Sequence, residues 1–332
     1  MSSFRKRGIW VSSMMVVAAL TLAVASLIGS VGAIGVVGGG KNPGQLGTLH
    51  WYDANKSFGT FAVGTNPREM AFDGSSVWVA NFTSNNVMRL DIKTGAVTAT
   101  TPVGTGPLGL AFDGTNIWVS NFTSNNVTKV NAATGVASAP ITVGTHPWGV
   151  AFDGTNIWVA DNGNANVKRI NPTTGAVNGT FAVGTAPRDL IYDGTNIWVA
   201  NGGSANVSRL NATTGAAAGG PFAVGTGPWG LAYDGTNVWV ANAGSANVTR
   251  LNASTGAVAG GPFAVGAVPY QVLYDGANVW VSNFGTTTIT KLNATSGGLI
   301  GTYTVGSHPW GLAFDGINVW IANHAAANVT KR

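Results

Sequence analysis

The chain repeats one stretch seven times, and its third copy reads Phe152-Asp153-Gly154-Thr155-Asn156-Ile157-Trp158-Val159-Ala160. In every copy a Trp stands five residues after the Asp, and successive copies are 40 or 41 residues apart. The seven pairs are Asp73–Trp78, Asp113–Trp118, Asp153–Trp158, Asp193–Trp198, Asp234–Trp239, Asp275–Trp280 and Asp315–Trp320. A fixed period of this length indicates a repeat protein, in which one supersecondary unit is stacked several times.

One unit is predicted to contain four short strands. In the third unit the apolar run 147–152 ends at Asp153-Gly154, and an Asp-Gly pair between two apolar runs predicts a hairpin turn. The next run, 157–160, is apolar on both faces, so both faces must be covered. Residues 166–170 alternate apolar and polar side chains, and residues 180–183 form the last run. Four strands with a buried inner pair predict one blade of a β-propeller.

The number of units predicts the architecture. A lone blade cannot cover its two apolar faces, whereas blades stacked around an axis cover one another. Seven units account for nearly all of the chain after residue 41. We therefore predict an all-β fold, a seven-bladed β-propeller of four-stranded antiparallel blades, formed by residues 49–332.

The two ends of this domain are expected to meet. The seventh unit stops at Arg332 before a fourth strand, while residues 58–63 match residues 178–183, the fourth strand of the third unit. We therefore expect the ring to be closed by this N-terminal strand. A further contribution to the pairing from residues 49–52 is left open.

Residues 1–40 have the composition of a signal peptide or a membrane anchor. Arg5, Lys6 and Arg7 precede an apolar stretch, residues 9–37, and a basic start followed by an apolar run is typical of an export signal. The run is also long enough, at roughly 20 residues, to span a bilayer uncleaved. Either way we expect residues 41–48 to be a linker and the propeller to be extracellular, periplasmic or at the cell surface, anchored in the membrane through residues 9–37 if the segment is retained.

Composition argues against two classes of chemistry. The chain has 17 Lys and Arg against 12 Asp and Glu, and the three bases near the N-terminus leave 14 against 12 in the rest. A nucleic-acid binder concentrates basic residues on one face, so nucleic acid is an unfavoured partner. The absence of Cys excludes disulfides and thiol redox chemistry.

The units resemble the YVTN-type β-propeller repeat. The resemblance is carried by 118–127, 131–135 and 141–144, which match that family's strand-loop-strand core and its next turn and strand. It implies the propeller fold and no particular function, because propellers host enzymes, scaffolds and receptors alike. The units are also similar to those of streptogramin B lyase-like propellers, whose chemistry would need a close His pair and a Glu base. Here the only Glu is Glu69, and His308 and His324 are the only two His within one unit.

A functional site is expected where the units differ, because residues that the fold requires are the same in every unit. The loops before the first strand and after the second strand open on one face of a propeller, around the channel. On these loops units one and four carry Arg beside a carboxylate, units three, five and seven carry Trp beside Gly, and unit six carries Tyr beside Gln. The candidate ligand-binding residues are Arg68, Glu69, His146, Trp148, Arg188, Asp189, Trp229, Tyr270, Gln271, His308, Trp310 and His324.

This residue mixture favours a platform for a small ligand or a glycan. The alternative is that the Trp side chains plug the channel mouth and that each Arg is satisfied by its neighbouring carboxylate.

Residues that recur in every unit are expected to serve the fold. The Trp should pack between blades, the Asp should form hairpin turns, and the Asn that ends most second strands should cap loops. The bases of the third strands are expected to form a solvated outward face that pairs with turn carboxylates. They are Arg89, Lys129, Arg169, Arg209, Arg250, Lys291 and Lys331.

The predicted function is that of a non-enzymatic binding or scaffold protein. Its partner would be a small molecule, a glycan or an envelope protein, bound on the channel face. With one Glu and no Ser-His-Asp spacing, we assign no catalytic residue, no metal and no cofactor. A propeller enzyme of the lyase or lactonase type is the alternative, and nucleic-acid binding is the third option.

Overall fold

Seven antiparallel sheets of four strands each make up residues 59–332, the part of the chain that this computed structural model describes. Each sheet is one blade, so the predicted seven-bladed all-β architecture is confirmed. The first strand of every blade lies at one edge of its sheet, and the seven first strands pack beside one another in a closed circle around the axis.

The strands follow the repeat. Blade one contains β2 (Pro67–Phe72), β3 (Ser76–Asn81), β4 (Asn86–Asp91) and β5 (Val97–Pro102). Blade two contains β6 (Pro107–Phe112), β7 (Asn116–Asn121), β8 (Asn126–Asn131) and β9 (Ile141–Thr142), and blade three β10 (Pro147–Phe152), β11 (Ile157–Asp161), β12 (Asn166–Ile170) and β13 (Val177–Ala182). Blade four contains β14 (Pro187–Tyr192), β15 (Asn196–Asn201), β16 (Asn206–Asn211) and β17 (Phe222–Ala223), and blade five β18 (Pro228–Tyr233), β19 (Asn237–Asn242), β20 (Asn247–Asn252) and β21 (Val258–Ala264). Blade six contains β22 (Pro269–Tyr274), β23 (Asn278–Asn283), β24 (Thr288–Asn293) and β25 (Leu299–Thr304). Blade seven contains β26 (Pro309–Phe314), β27 (Val319–Asn323), β28 (Asn328–Lys331) and β1 (Gly59–Ala62), and short 3-10 turns lie at Asn162–Asn164 and His324–Ala326.

Each Asp-Gly turn is tied to the Trp of its own blade. In blade three the Asp153 Oδ1 accepts the backbone N–H groups of Thr155 and Asn156, at 2.7 and 2.6 Å, and Gly154 has a φ of 93°. The Asp153 Oδ2 accepts the Trp158 Nε1–H at 2.7 Å, and the equivalent bond is 2.7 or 2.8 Å long in all seven blades. The hairpin prediction is confirmed, and the Asp has a second role because it satisfies a buried indole N–H.

The seven repeat Trp side chains fill the spaces between blades, as predicted. Six of them are 0% exposed and Trp280 is 8% exposed. Trp158 of blade three, for example, lies in one cluster with Ile197 and Val199 of blade four. Each ring therefore covers the apolar face of the following blade, which the blade cannot cover itself.

The third-strand bases do not form a solvated outward face, so that prediction is wrong. Each cation lies 4.7–5.8 Å from the centroid of its own blade's buried Trp. Six of the seven also donate to a backbone carbonyl in the turn after the third strand of the next blade, as Arg209 Nη1 does to the Ala253 oxygen at 2.8 Å. The hydrogen-bond acceptor in these six contacts is a backbone carbonyl rather than a turn carboxylate.

Blade seven combines strands from distant parts of the chain. β1 pairs antiparallel with β28, with Gly59 opposite Lys331 and Ala62 opposite Asn328, and the Phe61 ring lies 5.7 Å from that of Trp320. The predicted signal or anchor (1–40), the linker (41–48) and residues 49–58 lie outside the described residues. Within residues 59–332 no helix is long and apolar enough to cross a membrane.

Candidate ligand-binding site

The side chains that differ between units meet at one end of the axis, in a cluster that we call the rim. The rim comprises Arg68, Phe82, Phe122, His146, Trp148, Arg188, Trp229, Tyr270, Phe284, His308, Trp310 and His324, which are joined by ring or cation–ring contacts of 6.3 Å or less. Nine of these twelve belong to the predicted candidate set. The other three candidates, Glu69, Asp189 and Gln271, line the axial cavity instead.

Contacts in the rim extend across intervening blades. Trp229 of blade five lies 5.4 Å from Trp148 of blade three and 5.7 Å from Trp310 of blade seven, both edge to face. Trp310 is 4% exposed, and Leu108, which occupies the same position in blade two, is 1% exposed. The large side chains therefore fill much of the channel mouth. This agrees with the alternative interpretation, in which the Trp side chains plug the channel.

Two stacks that each include an arginine give the rim its charge. In the first, Arg188 lies 3.6 Å from the Trp229 centroid, Trp229 stacks on Tyr270 at 3.9 Å, and Tyr270 stacks on Phe284 at 4.4 Å. In the second, Arg68 contacts Phe82 at 4.3 Å and Trp310 at 3.8 Å. A guanidinium over a desolvated aromatic face is stabilised by the ring quadrupole.

The two arginines are not neutralised by the carboxylates beside them. Within residues 59–332, neither Arg68 nor Arg188 makes an ion pair or a side-chain hydrogen bond, and the Nε of each is buried without an acceptor. This part of the alternative interpretation, in which each Arg is satisfied by its own carboxylate, is therefore wrong. Burial lowers the pKa of Arg68 to about 10 and also lowers that of Arg188. Guanidinium groups are protonated at neutral pH, so the rim is cationic.

The axial cavity lies along the first strands and has a volume of about 200 Å³. Its lining is mostly apolar, and besides three tyrosines it includes the polar side chains of Glu69, Asp189 and Gln271. Gln271 Nε2 donates to Glu69 Oε2 at 3.2 Å, and Asp189 Oδ2 accepts the Leu231 backbone N–H at 2.8 Å. The carboxyl groups thus bond to the protein and turn away from the arginines that precede them in sequence.

Glycines make room for these polar side chains. The blades before Glu69, Asp189 and Gln271 carry Gly311, Gly149 and Gly230 at the same position. A Cβ at Gly149 would lie 2.7 Å from the Arg188 carbonyl oxygen and 2.9 Å from the Asp189 Cα. The Trp-Gly pattern therefore has a steric cause, because the backbone of the next blade passes against the glycine.

Burial shifts the titration of both cavity carboxyls. Burial, helped by the nearby Asp189, raises the pKa of Glu69 to about 8, although hydrogen bonds from Gln271 and the Met70 N–H and the charge of Arg68 oppose the shift. Burial likewise raises the pKa of Asp189 to about 7 against hydrogen bonds from Leu231, Leu190 and Gln271. At pH below about 7 the cavity is therefore largely uncharged beneath a cationic rim.

The two His of blade seven lie at the edge of the rim. His324 donates its backbone N–H to the His308 carbonyl at 3.0 Å, and both rings lie near Phe284, at 5.8 and 5.0 Å. Burial, with the charge of Arg68 and then of His308 acting in the same direction, lowers the pKa of His324 to about 4. Glu69 is bonded to Gln271 rather than to either imidazole, so the three do not form a hydrogen-bonded acid–base set.

Three rim aromatics are not among the candidates predicted from the sequence. Each lies directly after the second strand of its blade, and they are Phe82, Phe122 and Phe284. The other four blades have Asn162, Gly202, Ala243 and His324 at this position. The same criterion of variation between units would have found them. In blade four this position is a glycine, and a Cβ there would lie 2.5 Å from the Arg188 Nε, so Gly202 leaves the space that Arg188 occupies.

Comparison with known proteins supports the fold and does not identify a family. No protein-family model and no curated protein sequence matches the chain.

Solved propellers do match in structure. Hydrazine synthase of Kuenenia stuttgartiensis is 18% identical over 84% of this chain and 99% of that one, with a TM-score of 0.68. A catalytically inactive virginiamycin B lyase from Staphylococcus aureus, solved with quinupristin, is 17% identical over 83% and 99% of the two chains, with a TM-score of 0.68. A streptogramin B lyase structure is 16% identical over 82% and 96%, again with a TM-score of 0.68. At these identities the likeness establishes the seven-bladed propeller fold alone.

Proposed function

We propose that the protein is a non-enzymatic binding protein that holds a small ligand or a partner on the rim. The observation that carries this proposal is the gathering of the side chains that differ between units into one cluster at one end of the axis. Structural requirements repeat in every blade, so a concentration of differences is the expected sign of a site on a repeat scaffold.

The chemistry of the rim supports binding rather than catalysis. It offers aromatic edges, two guanidinium groups and the imidazoles of His146, His308 and His324, whereas the carboxyls bond to neighbouring protein groups in the cavity rather than to an imidazole. General acid–base catalysis would require a proton donor or acceptor positioned towards a reacting atom. The cellular setting in this proposal is the cell envelope, with the propeller exported and residues 9–37 serving as signal or anchor, and the repeat belongs to the YVTN type.

The test is a binding screen of the full chain against glycans and small metabolites. Wild type is compared with Trp148→Ala and Arg188→Ala on the rim, and with Val136→Ser as a matched control on the outer edge, where Val136 is 66% exposed. We expect ligands whose binding is lost in the rim variants and retained in Val136→Ser. Binders that respond to none of the rim changes would place the site elsewhere and overturn the proposal.

A further inference from the structure

We propose that the ligand of the rim is an organic oxyanion, held by the guanidinium groups of Arg68 and Arg188. This inference rests on the proposed function and names the chemical class that the site takes. It follows from three features of the rim, namely the unbonded cations, the covered aromatic faces and the surplus of N–H donors.

The first feature is the unbonded state of the two cations. Elsewhere on the propeller arginines are hydrogen-bonded, as Arg209 is to the carbonyl oxygens of Ala218, Ala253 and Ser254, at 2.7, 2.8 and 2.9 Å. Arg68 and Arg188 have no such bonds within the described residues, and their terminal nitrogens are not among the buried unbonded atoms, so they remain accessible. A guanidinium fork matches the geometry of a carboxylate, sulfate or phosphate group.

The second feature disfavours a neutral sugar stacked on Trp229 or Tyr270. A sugar stacks on the open face of an aromatic ring, but Arg188 and Tyr270 each lie within 4 Å of the Trp229 centroid and so cover its two faces. Tyr270 is covered in turn by Trp229 on one side and Phe284 on the other. What these stacks present to a ligand is the edges of rings and the ends of guanidinium groups. An acceptor-bearing anion matches those groups better than a neutral ring does.

The third feature is a surplus of donors over acceptors. Besides the two arginine Nε atoms, the Trp229 and Trp310 Nε1 atoms are buried without an acceptor, and Trp310 is 4% exposed as a whole. The Tyr270 hydroxyl lies within the field of both guanidinium groups. Uncompensated N–H dipoles in a poorly hydrated cluster add to the positive potential of the two arginines, and this potential favours an anion.

The acidic groups nearby do not cancel this potential at neutral pH or below. Glu69 and Asp189 face the cavity and one another, with Gln271 between them, and burial keeps much of the pair protonated there. The remaining ionisable neighbours of Arg68 include Tyr270, whose pKa burial raises, and His324, whose imidazole is not an anionic group. The rim therefore carries two positive charges that no neighbouring carboxylate satisfies.

The experiment is isothermal titration of the full chain at pH 6.5 and low salt. The probes are benzoate, D-glucuronate, sulfate and phosphate, with benzyl alcohol and D-glucose as uncharged counterparts of the first two. We expect an anion to bind while its uncharged counterpart does not, with an affinity that falls as salt rises. Arg188→Gln and Arg68→Gln should each weaken binding on the order of tenfold or more, the usual effect of losing a charge-assisted hydrogen bond.

Two controls separate charge from folding. Arg188→Lys keeps the charge without the planar fork and should bind more tightly than Arg188→Gln, and Val136→Ser should bind like wild type. Melting curves show whether each variant is folded.

The outcomes distinguish the two proposals. Suppose that benzyl alcohol or D-glucose binds as tightly as its anionic counterpart and that Trp148→Ala abolishes this binding. The ligand would then not need to be an oxyanion, although the rim would still be the binding site. Absence of binding by all four anions, or anion binding that survives both Arg→Gln changes, also overturns the inference. The proposed function fails only if the wider screen finds no ligand that depends on the rim.

Discussion

Arginine stacks on tryptophan in two regions of this propeller, with different consequences. On the outer part of the blades, Arg209 lies 5.2 Å from the buried Trp198 and donates to the Ala253 carbonyl of the next blade. At the rim, Arg188 lies 3.6 Å from Trp229 and donates to no atom within residues 59–332. The outer pair connects two blades, because the Nε and Nη1 of Arg209 both donate to backbone carbonyls, those of Nη1 in the next blade. The comparison shows that the hydrogen bonds, and not the stacking, separate a structural cation from one available to a ligand.

The largest expected effect comes from removing the outer contacts of blade seven, where β1 pairs with β28. Deletion of residues 49–63 removes β1, its pairing with β28 and the Phe61 ring that lies against Trp320. We expect the melting temperature to fall by about 10 °C, because loss of the strand and of the partly buried Phe61 ring leaves β28 as an exposed edge. Differential scanning calorimetry measures this change. An unaltered melt would show that β1 does not hold the last blade.

The next prediction compares the same substitution, Arg to Gln, on the outer part of the blades and at the rim. Arg209→Gln removes bonds to three carbonyl oxygens, and we expect it to lower the free energy of unfolding by about 1–3 kcal/mol. Arg188→Gln breaks no hydrogen bond and loses only the contact with the Trp229 ring, so it should change this free energy by less, about 0.5–1 kcal/mol. Urea unfolding of the two variants gives both values. Equal losses would mean that Arg188 also serves the fold, and the distinction between the regions would fail.

The smallest effect concerns the carboxyls beneath the rim. Their folded pKa values, about 8 for Glu69 and about 7 for Asp189, lie above the unfolded values of about 4. The folded state therefore holds more protons, and stability must fall as pH rises through the folded pKa values. We expect the melting temperature to decrease by about a few degrees between pH 6.5 and 9.

Substitutions assign this pH dependence. Glu69→Gln or Asp189→Asn should flatten it, whereas Asp91→Asn should not, because hydrogen bonds lower the pKa of Asp91 and keep it ionised throughout this range. The scan starts at pH 6.5 because the lowered pKa of His324 destabilises the folded state below that pH. A slope that persists in both cavity variants would contradict the assignment.

The sequence predicts the repeated part of this molecule well, for a physical reason. Asp153-Gly154 and Trp158 act within one hairpin, so their spacing alone implies the turn, the strand pair and the buried ring. The partner of Arg209, in contrast, is a carbonyl 44 residues ahead, and an alternating pattern cannot distinguish that contact from exposure to water.

The rim was predicted as a set of residues and not as an arrangement. Sequence variation selects Arg188, Trp229 and Tyr270, but their stacking order depends on side-chain directions across three blades. The same limit applies to Asp189, whose carboxylate turns into the cavity although it adjoins an arginine in sequence. Contacts across blades depend on the geometry of the closed ring, which no single repeat encodes.

The glycines around the cavity imply that the blades are not interchangeable. A blade that carries Glu, Asp or Gln beside the axis needs a predecessor with glycine at that position, since a Cβ at Gly149 would meet the backbone at Asp189. If blade four were duplicated in tandem, the Cβ of the first Asp189 would clash with the backbone of the second copy. The resulting ring would be strained. Recombination can therefore produce only those blade orders in which every blade with Glu, Asp or Gln at this position follows a blade with glycine there.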